Sequence, residues 1–497
     1  MNTKIKSGIA LFLLASMLVA VGCGGTETPP AADDTTSGVS EDTTTAVQEY
    51  EYPYPDTGYG GEEYHILNMG DIYDMHSVME REELNGETLN DAIYNRNRLI
   101  EQKFDIVLKE TVYPVSDTES IRALCTTAQN SILAGEDEYD VMYLPMGESV
   151  SQITSGCFLD LTQIESLQLD ENWWYTSFNE QLTINGALYS AVGSSNILVQ
   201  DAIRLMAFNY DMMDNLKLEL PYDLVRESKW TLDEFNKYIT AAANLNGDDT
   251  AAWNKDGNCV YGYVHNRSSM HNFLIAADAA VVENENGTLV SNADSERFYN
   301  VVEKLSSILT EDDAKAYRGL VGTDMDAENG GYIYIFKNGR ALFTQAEVNK
   351  AQVFRDLSFE YGVVPYPKYD EAQENYYSNA WYAATGAYIP ATCKDPEKIG
   401  SILDAMSYEG ERTVIPAFRS ITVEQKGLRN DDSIEMLKIV TDSVVPVVYD
   451  IFNVGETLMS NIANEVWKKN GSTASLVAAQ KSTIAEQIAT VMENWNQ

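Results

Sequence analysis

The sequence predicts an α/β fold that begins with a domain built on a mostly parallel sheet. Strand-like and helix-like segments alternate from residue 64 onward, the helical segments are long enough to cross back over a sheet, and a polar loop follows the first strand. Ligands of such folds bind at the carboxyl ends of the strands. The composition agrees, because 44% of the 497 residues are hydrophobic, which is enough for two or three domains with cores of their own.

The first alternation is defined by apolar runs and helical periodicity. Its segments are, in chain order, a strand over 64–69, a helix over 88–104, a strand over 106–108, a helix over 120–134 and a strand over 139–144. Farther along, Thr231 and Glu234 have the spacing of a capping box at the start of an amphipathic helix. A strand over 260–264 and helices over 396–406 and 475–495 complete the prediction.

The first 22 residues combine a basic start with a short apolar run. Lys4 and Lys6 precede the run from Gly8 to Gly22, which is shorter than the about 20 residues that a membrane-spanning helix needs. The run ends at Ala20-Val21-Gly22-Cys23, which resembles the lipobox of bacterial lipoproteins, although that family more often has Leu where this chain has Ala20. The resemblance implies a signal peptide over 1–22 and a diacylglycerol on Cys23, which holds the protein on the outer face of the cell membrane. An ordinary secreted protein with a chance cysteine is the alternative, and no later segment is apolar enough to span a bilayer.

Residues 23–63 are predicted to form an acidic, flexible tether. The stretch holds ten acidic residues and no Lys or Arg, and it is rich in Thr, Ser, Pro and Gly. Such a composition cannot bury enough apolar area to fold, and its like charges extend it. The tether is expected to lift the folded part clear of the membrane, while its tyrosines near residues 50–59 can touch that part.

The charge excludes some classes of partner. There are 34 basic and 76 acidic side chains, so the net charge is −42, and the part beyond residue 63 still carries −34 once the signal lysines and the tether acids are set aside. A surface this negative repels phosphate, which argues against nucleic acid and strongly anionic ligands. The 30 tyrosines offer an apolar face with a polar tip, which suits a neutral, hydroxyl-rich ligand.

Several segments together resemble one known family. They are YDVMYLP (139–145), GCFLDLT (156–162), the stretch 188–211, WTLDEF (230–235), FKNGRALF (336–343) and YGVVPYPK (361–368). In this order they are similar to the extracellular solute-binding proteins of ATP-binding-cassette (ABC) importers, in the sugar-binding, maltose-binding-protein-like group. Each match alone is weak, but the ordered set spans most of residues 64–497.

The resemblance implies a periplasmic-binding-protein-like architecture: two α/β lobes joined by crossing strands, with a ligand cleft between them that closes by hinge motion. Lobe one is placed at 64–190 and 376–430, and lobe two at 195–370 and 435–497. The implied function is that of a monomeric, lipid-anchored binding protein without a cofactor. It captures a carbohydrate, expected to be a neutral oligosaccharide, and delivers it to ABC transporter permease subunits.

Candidate ligand-binding residues follow strands or the crossings between lobes. Aromatic faces stack on a sugar ring, and carboxylates and amides bond its hydroxyls. The candidates are Asp71 and Tyr73 after the first strand, Tyr143 at the end of another, Glu347 after the GRALF segment, and Asn379 and Trp381 after the second presumed crossing.

Motifs for bond chemistry are missing from the sequence. There is no nucleophile elbow, phosphate loop, dinucleotide fingerprint or H-E-x-x-H zinc motif. Asp324 to Glu328 begin like a calcium loop, but Asn329 and Ile335 stand where Gly and Glu belong, so no metal is predicted. An exported polysaccharide-active enzyme, with two carboxylates about 5 to 10 Å apart, is the main alternative, and an adhesion module without a closing cleft is the other. Whether Cys125, Cys157, Cys259 and Cys393 form disulfides is left open.

Overall fold

The structure is a computed structural model that describes residues 52–55, 58–309, 314–319, 330–424, 431–468 and 472–495. The predicted signal peptide, Cys23, most of the tether and the calcium-like segment from Asp324 lie outside these residues.

The strands are β1 (Glu62–Met69), β2 (Ile106–Tyr113), β3 (Val141–Pro145), β4 (Arg204–Asn209), β5 (Tyr261–His265), β6 (Val282–Glu285), β7 (Thr288–Ser291), β8 (Ala316–Arg318), β9 (Ala341–Glu347), β10 (Tyr361–Val364), β11 (Ser378–Asn379), β12 (Thr385–Tyr388) and β13 (Val444–Val445). The helices are α1 (Thr88–Phe104), α2 (Thr118–Leu133), α3 (Val150–Ile153), α4 (Thr176–Leu182), α5 (Leu198–Asp201), α6 (Tyr210–Leu216), α7 (Tyr222–Arg226), α8 (Leu232–Ala242), α9 (Ser269–Ala276), α10 (Glu296–Ile308), α11 (Tyr332–Lys337), α12 (Lys350–Val353), α13 (Pro396–Glu409), α14 (Ile415–Glu424), α15 (Asp431–Asp442), α16 (Val448–Ile451), α17 (Glu456–Lys468) and α18 (Thr473–Asn494).

The first sheet has the strand order β12-β3-β1-β2. β1 runs parallel to β2 along its whole length, from Glu62 opposite Ile106 to Met69 opposite Tyr113, and also parallel to β3. β12, which comes from much later in the chain, closes the other edge antiparallel to β3. The predicted parallel sheet is therefore present, and its loops after β1 and β3 lie at one edge.

The second sheet has the strand order β10-β4-β9-β5-β8. β4 is antiparallel to both of its neighbours, whereas β5 is parallel to β8 and β9. Arg204 at the start of β4 lies opposite Glu347 at the end of β9. This register brings the first residues of one strand and the last residues of the other to the same edge.

The chain passes from the first sheet to the second and back again. The outward passage runs through residues 189–203, where Ala191 bridges to Ala387 of β12 and Ile203 bridges to Ala380. The return runs from β10 through β11, which pairs with β13, to β12. These two passages lie side by side, which is the arrangement that permits hinge motion between two lobes. The lobe boundaries given above stay a prediction.

Local signals explain why several elements begin where they do. The Thr231 hydroxyl accepts a hydrogen bond from the backbone N of Glu234, 3.4 Å away, and caps α8 as predicted. α1 has the predicted bounds. β2 is longer than predicted, because it pairs with β1 as far as Tyr113. The sequence did not reveal its second half, since buried and exposed residues alternate only weakly there. Among the described residues no helix combines the length and apolarity that crossing a membrane requires.

The folded part begins earlier than predicted. β1 starts at Glu62, two residues inside the predicted tether, and Tyr52 is buried. The Tyr52 hydroxyl donates to Asp404 Oδ2 at 2.9 Å, and its ring lies 5.0 Å from that of Tyr408. Aromatic rings supply the apolar area that the rest of the tether lacks, so this end of the segment packs against α13.

Candidate functional site

The loop after β1 contacts the segment after β9, so an edge of each sheet faces the other. The carbonyl oxygen of Tyr73 accepts hydrogen bonds from Asn349 Nδ2 at 3.0 Å and from Lys350 Nζ at 3.3 Å. Lys350 Nζ also lies 3.4 Å from Asp74 Oδ2. The contact therefore defines a candidate site between the two sheets.

An aromatic pair lies at this contact. The rings of Tyr73 and Trp381 are 5.8 Å apart between centroids and meet edge to face at 74°. Tyr73 is 51% exposed and Trp381 is half-buried, so part of each ring is open to solvent. The backbone N of Trp381 donates to the carbonyl of Ala202 at 3.2 Å, which ties the indole to the outward passage. Open aromatic faces of this kind can stack on an apolar face of a ligand.

Three buried oxygens beside the pair accept no hydrogen bond from any described residue. They are Oδ1 of Asp201, Oε2 of Glu347 and Oδ1 of Asn349. Leaving a buried acceptor without a donor costs about 1–3 kcal/mol, and buried polar atoms in proteins nearly always have a partner. The three oxygens therefore have unused hydrogen-bonding capacity, and they are candidate acceptors for a donor-bearing ligand.

The backbone brings these three residues together. The backbone N of Asn349 donates to the carbonyl of Asp201 at 3.0 Å, and Val348 N donates to the carbonyl of Ile203 at 3.0 Å. Glu347 then lies opposite Arg204, with which it forms a buried ion pair. The acceptors thus share one short ladder at the edge of the second sheet.

The second oxygen of Asp201 is bonded to His76, which lies in the segment after β1. Both the backbone N and Nδ1 of His76 lie 2.8 Å from Asp201 Oδ2. The Asp201 side chain is 1% exposed and that of His76 is 31% exposed. One Asp201 oxygen is therefore bonded to His76, and the other is buried without a hydrogen-bond partner among the described residues.

The predicted site residues divide into two groups. Tyr73, Glu347 and Trp381 lie at the contact between the sheets. Asp71 is exposed, but its Oδ1 is used within the loop, where it accepts from the backbone N of Ser77 at 2.6 Å.

Tyr143 and Asn379 are held inside the protein instead. Tyr143 is 2% exposed and donates to Ser195 Oγ at 2.8 Å, and burial raises its pKa to about 12. Asn379 is buried and donates to Asn272 Oδ1 at 3.1 Å. The structure leaves neither side chain open to a ligand, and a binding role for any of the six residues stays a prediction.

A buried polar network anchors the return passage close to Trp381. Asn272 Nδ2 donates to the hydroxyl of Tyr366 at 3.1 Å, which in turn lies 3.3 Å from the hydroxyl of Tyr263. The Tyr263 hydroxyl contacts Ser269 Oγ at 2.7 Å. Because Asn379 is bonded to Asn272, the return passage is anchored to the second sheet two residues before the indole.

Sequence reasoning did not select Asp201, Asn349, Lys350 or His76. Asp201 ends α5, a short helix in the outward passage, where no strand pattern marks a strand end. Glu347 was selected for its place after the GRALF segment and ends β9. Asn349 and Lys350 lie two and three residues farther along, so the same signal extended by three residues includes them. His76 follows the loop that contains Tyr73.

The four described cysteines do not pair with one another. Cys125, Cys157, Cys259 and Cys393 are free, and burial raises the pKa of the Cys125 thiol to about 12. Within the described residues no cluster of His, Cys, Asp and Glu is arranged to hold a metal ion.

Comparison with known proteins gives a clear result at the level of structure. No protein-family model matches the sequence, and no curated protein matches it. Solved structures do match. A cyclo/maltodextrin-binding protein complexed with maltotetraose is 16% identical, with 89% of this chain and 99% of that chain covered and a TM-score of 0.56.

Two further matches are of the same kind. An ABC substrate-binding protein from Listeria monocytogenes in complex with cycloalternan is 15% identical, with 86% of this chain and 99% of that one covered and a TM-score of 0.54. The galacto-N-biose-/lacto-N-biose I-binding protein of an ABC transporter from Bifidobacterium longum, in complex with lacto-N-biose, is 14% identical, with coverage of 88% and 98% and a TM-score of 0.56. The chain therefore has the two-lobed, periplasmic-binding-protein-like α/β fold of these ABC substrate-binding proteins.

Proposed function

We propose that this protein is a carbohydrate-binding protein of an ABC importer and that its ligand is a neutral oligosaccharide. The observation that carries the proposal is the combination of an open aromatic pair with three buried, unpartnered acceptor oxygens between the two sheets. A sugar offers both complementary features, because its ring has an apolar face and its hydroxyls donate hydrogen bonds.

The charges around the site favour a neutral ligand. Arg204 and Glu347 neutralise one another, and the Lys350 side chain is 8% exposed, with its ammonium already bonded to the Tyr73 carbonyl. An anionic ligand would meet the carboxylate of Asp201 and a folded part with strong overall negative charge. Hydroxyl groups can donate to the same oxygens without that repulsion.

The structural neighbours support this ligand class. The proteins described above were solved with maltotetraose, cycloalternan and lacto-N-biose, all of them uncharged saccharides. At this low sequence identity the structural likeness supports the fold alone, and the site geometry supplies the independent argument for a sugar.

Binding then works by closure and involves no bond chemistry. The ligand contacts Trp381 on the return passage, Asp201 on the outward passage and the loop after β1. Its binding free energy therefore favours the conformation in which the edges of the two sheets meet. We propose that this closed form is the one that docks on the permease subunits. The protein acts as a monomer in this role.

We further propose that the mature chain begins at Cys23 and is lipid-anchored on the outer face of the cell membrane. The resemblance of residues 20–23 to a lipobox and the acidic composition of the tether support this location. Cys23→Ser should release the protein into the medium and abolish its labelling by a radioactive fatty acid. Labelling of the variant at the wild-type level would contradict the anchor.

Calorimetry tests the binding function. Residues 24–497 would be titrated with maltotetraose, lacto-N-biose, raffinose and an acidic oligosaccharide, and each sugar would be recovered and analysed by chromatography. We expect micromolar or tighter binding of a neutral sugar that is recovered unchanged. Hydrolysed sugar would favour the polysaccharide-active enzyme, and an absence of binding across the neutral panel would contradict the proposal.

A further inference from the structure

The loop after β1 contains a strained tight turn. Ile72 and Met75 exchange backbone hydrogen bonds of 3.2 and 2.8 Å, which leaves Tyr73 and Asp74 as the two central residues. Their φ angles are 54° and 65°. Two positive φ values are the signature of a type I′ turn, which favours Asn-Gly or Gly-Gly because other side chains are strained there.

Such strain persists only where the surroundings hold the chain in place. A non-glycine residue is disfavoured in this region, and such positions concentrate at functional sites. Here the strained turn presents Tyr73 to Trp381, so the sequence keeps an aromatic ring at a position where glycine would be more stable.

The restraint on the turn comes from the other sheet. The Tyr73 carbonyl receives both Asn349 Nδ2 and Lys350 Nζ, and the Lys350 ammonium also faces the carboxylate of Asp74. Lys350 is buried, whereas the Asp74 side chain is 68% exposed, so solvent screens the ion pair more than it weakens the bond to the carbonyl. These four residues, Tyr73, Asp74, Asn349 and Lys350, are called the latch below.

We infer that Lys350 is a positioning residue whose bond to the strained turn holds Tyr73 against Trp381 and favours contact between the two lobes with or without a ligand. This inference rests on the proposed function for its meaning, since the positioned pair is the proposed sugar platform. When the lobes separate, the turn loses both donors and the aromatic pair loses its fixed geometry. Ligand retention therefore depends on a contact that the ligand itself does not make.

A kinetic signature follows from this arrangement. Removing the ammonium leaves the open site unchanged, so the association rate should stay within about twofold. Dissociation requires the latch to open, and loss of one charge-assisted hydrogen bond should speed it about tenfold. A purely structural role for Lys350 would lower the amount of folded protein and leave the dissociation rate of the folded fraction unchanged.

The first experiment needs no ligand. Hydrogen exchange of the peptide that covers residues 72–78 would be measured in the mature chain for wild type, Lys350→Met, Lys350→Arg and the control Lys394→Met, whose lysine is 79% exposed on an ion pair with Asp137. We expect about tenfold faster exchange in Lys350→Met, near-normal exchange in Lys350→Arg, and no change in the control. Asn349→Ala, which removes the other donor, should act like Lys350→Met and serves if the latter does not fold. Unchanged exchange in both donor variants would overturn the inference.

The second experiment uses maltotetraose as the probe and follows tryptophan fluorescence by stopped flow. Faster release with unchanged association in Lys350→Met supports the latch, and equal release from variant and wild type contradicts it. If wild type binds no sugar, the proposed function fails, whereas the exchange experiment still decides whether Lys350 holds the turn.

Discussion

Two buried polar clusters lie on the outward passage between the sheets, and they differ in how completely their atoms are bonded. The first, here called the hinge clamp, consists of Arg96, Tyr143, Ser194, Ser195 and Gly410. The second, here called the cleft site, consists of the unpartnered oxygens of Asp201, Glu347 and Asn349 beside the Tyr73–Trp381 pair. Among the described residues, no buried side-chain polar atom of the clamp lacks a hydrogen-bond partner, whereas the cleft site contains three acceptors without donors.

The clamp surrounds the first residues of the passage. Arg96 is 2% exposed, donates to the carbonyl of Ser195 at 2.6 Å and bonds Asn97 Oδ1 through two nitrogens, at 3.0 and 2.9 Å. Burial lowers the pKa of this guanidinium to about 10, which still leaves it charged at neutral pH. Tyr143 holds the side chain of the same serine at 2.8 Å.

A π-helical turn completes the clamp from the other side. Residues 410–414 lie between α13 and α14, and a Cβ on Gly410 would lie 2.0 Å from the carbonyl oxygen of Ser194. The Ser194 hydroxyl donates to Glu411 Oε2 at 2.5 Å. Bulges of this kind often occur at functional positions, and here the bulge gives the passage room to approach the helix.

The difference between the clusters shows how one short passage can serve two purposes. Satisfied groups around residues 194–195 keep one end of the passage fixed to the first sheet. The oxygens of Asp201, Glu347 and Asn349 that lack donors keep hydrogen-bonding capacity that a ligand can use. Substitutions in the clamp should therefore change stability, and substitutions in the cleft site should change affinity.

The largest effect is expected from Arg96→Met. The substitution leaves the Ser195 carbonyl and Asn97 Oδ1 without their donor, and should lower the free energy of unfolding by about 3 kcal/mol. Urea unfolding followed by circular dichroism measures the loss. Arg122→Met, whose side chain is 65% exposed, is the control and should change stability by less than about 1 kcal/mol. Equal stability of the Arg96 variant and wild type would remove the clamp from the account.

Trp381→Ala should show the opposite behaviour. Loss of the half-buried indole removes stacking area, and we expect about thirtyfold weaker sugar binding, or about 2 kcal/mol. The change in stability should be smaller than that of Arg96→Met. Calorimetry of this variant beside Tyr299→Ala, a partly buried aromatic residue on α10, separates the platform from a general loss of packing. Wild-type affinity in the tryptophan variant would place the ligand elsewhere.

Tyr73→Gly would separate stability from binding within a single residue. Glycine removes the strain of the positive φ and should raise the free energy of unfolding by about 1 kcal/mol. The same change deletes one ring of the aromatic pair and should weaken sugar binding about tenfold. Thermal unfolding and calorimetry on one preparation check both signs, and a variant that is both less stable and equally tight would contradict the strained-platform interpretation.

The smallest effect concerns pH. Burial, followed by the charges of Glu456 and Glu148, raises the pKa of Asp450 from its ordinary 3.8 to about 7. Between these values the folded state holds a proton that the unfolded state releases, so this group makes stability fall as pH rises from about 4 to about 7. Asp450→Asn should therefore melt about 2 °C above wild type at pH 8 and at nearly the same temperature at pH 4. A melting difference that is the same at both pH values would contradict the shifted pKa.

The sequence was most informative where the pattern is local. The alternation of strands and helices, the bounds of α1 and the Thr231 cap could be predicted because periodicity and capping depend on neighbouring residues. The tether's tyrosines were harder to assign, since only the partners of Tyr52 on α13 show that this segment packs.

The site was predicted only in part, for a physical reason. Tyr73, Glu347 and Trp381 were selected as aromatic or acidic residues near strand ends and passages, and the structure brings them to one edge. Tyr143 follows the same rule but is directed into the clamp, because its hydroxyl meets Ser195 from a distant part of the chain. Asp201 and Lys350 depend on contacts between the two sheets, which no local pattern encodes.

A crystal structure with a bound neutral oligosaccharide tests the central claim most directly. The account predicts sugar hydroxyls within hydrogen-bond distance, about 2.5–3.2 Å, of Asp201 Oδ1, Glu347 Oε2 and Asn349 Oδ1, with a sugar ring against Trp381. A sugar bound away from these oxygens, or bound between the sheets while they remain without donors, would contradict it.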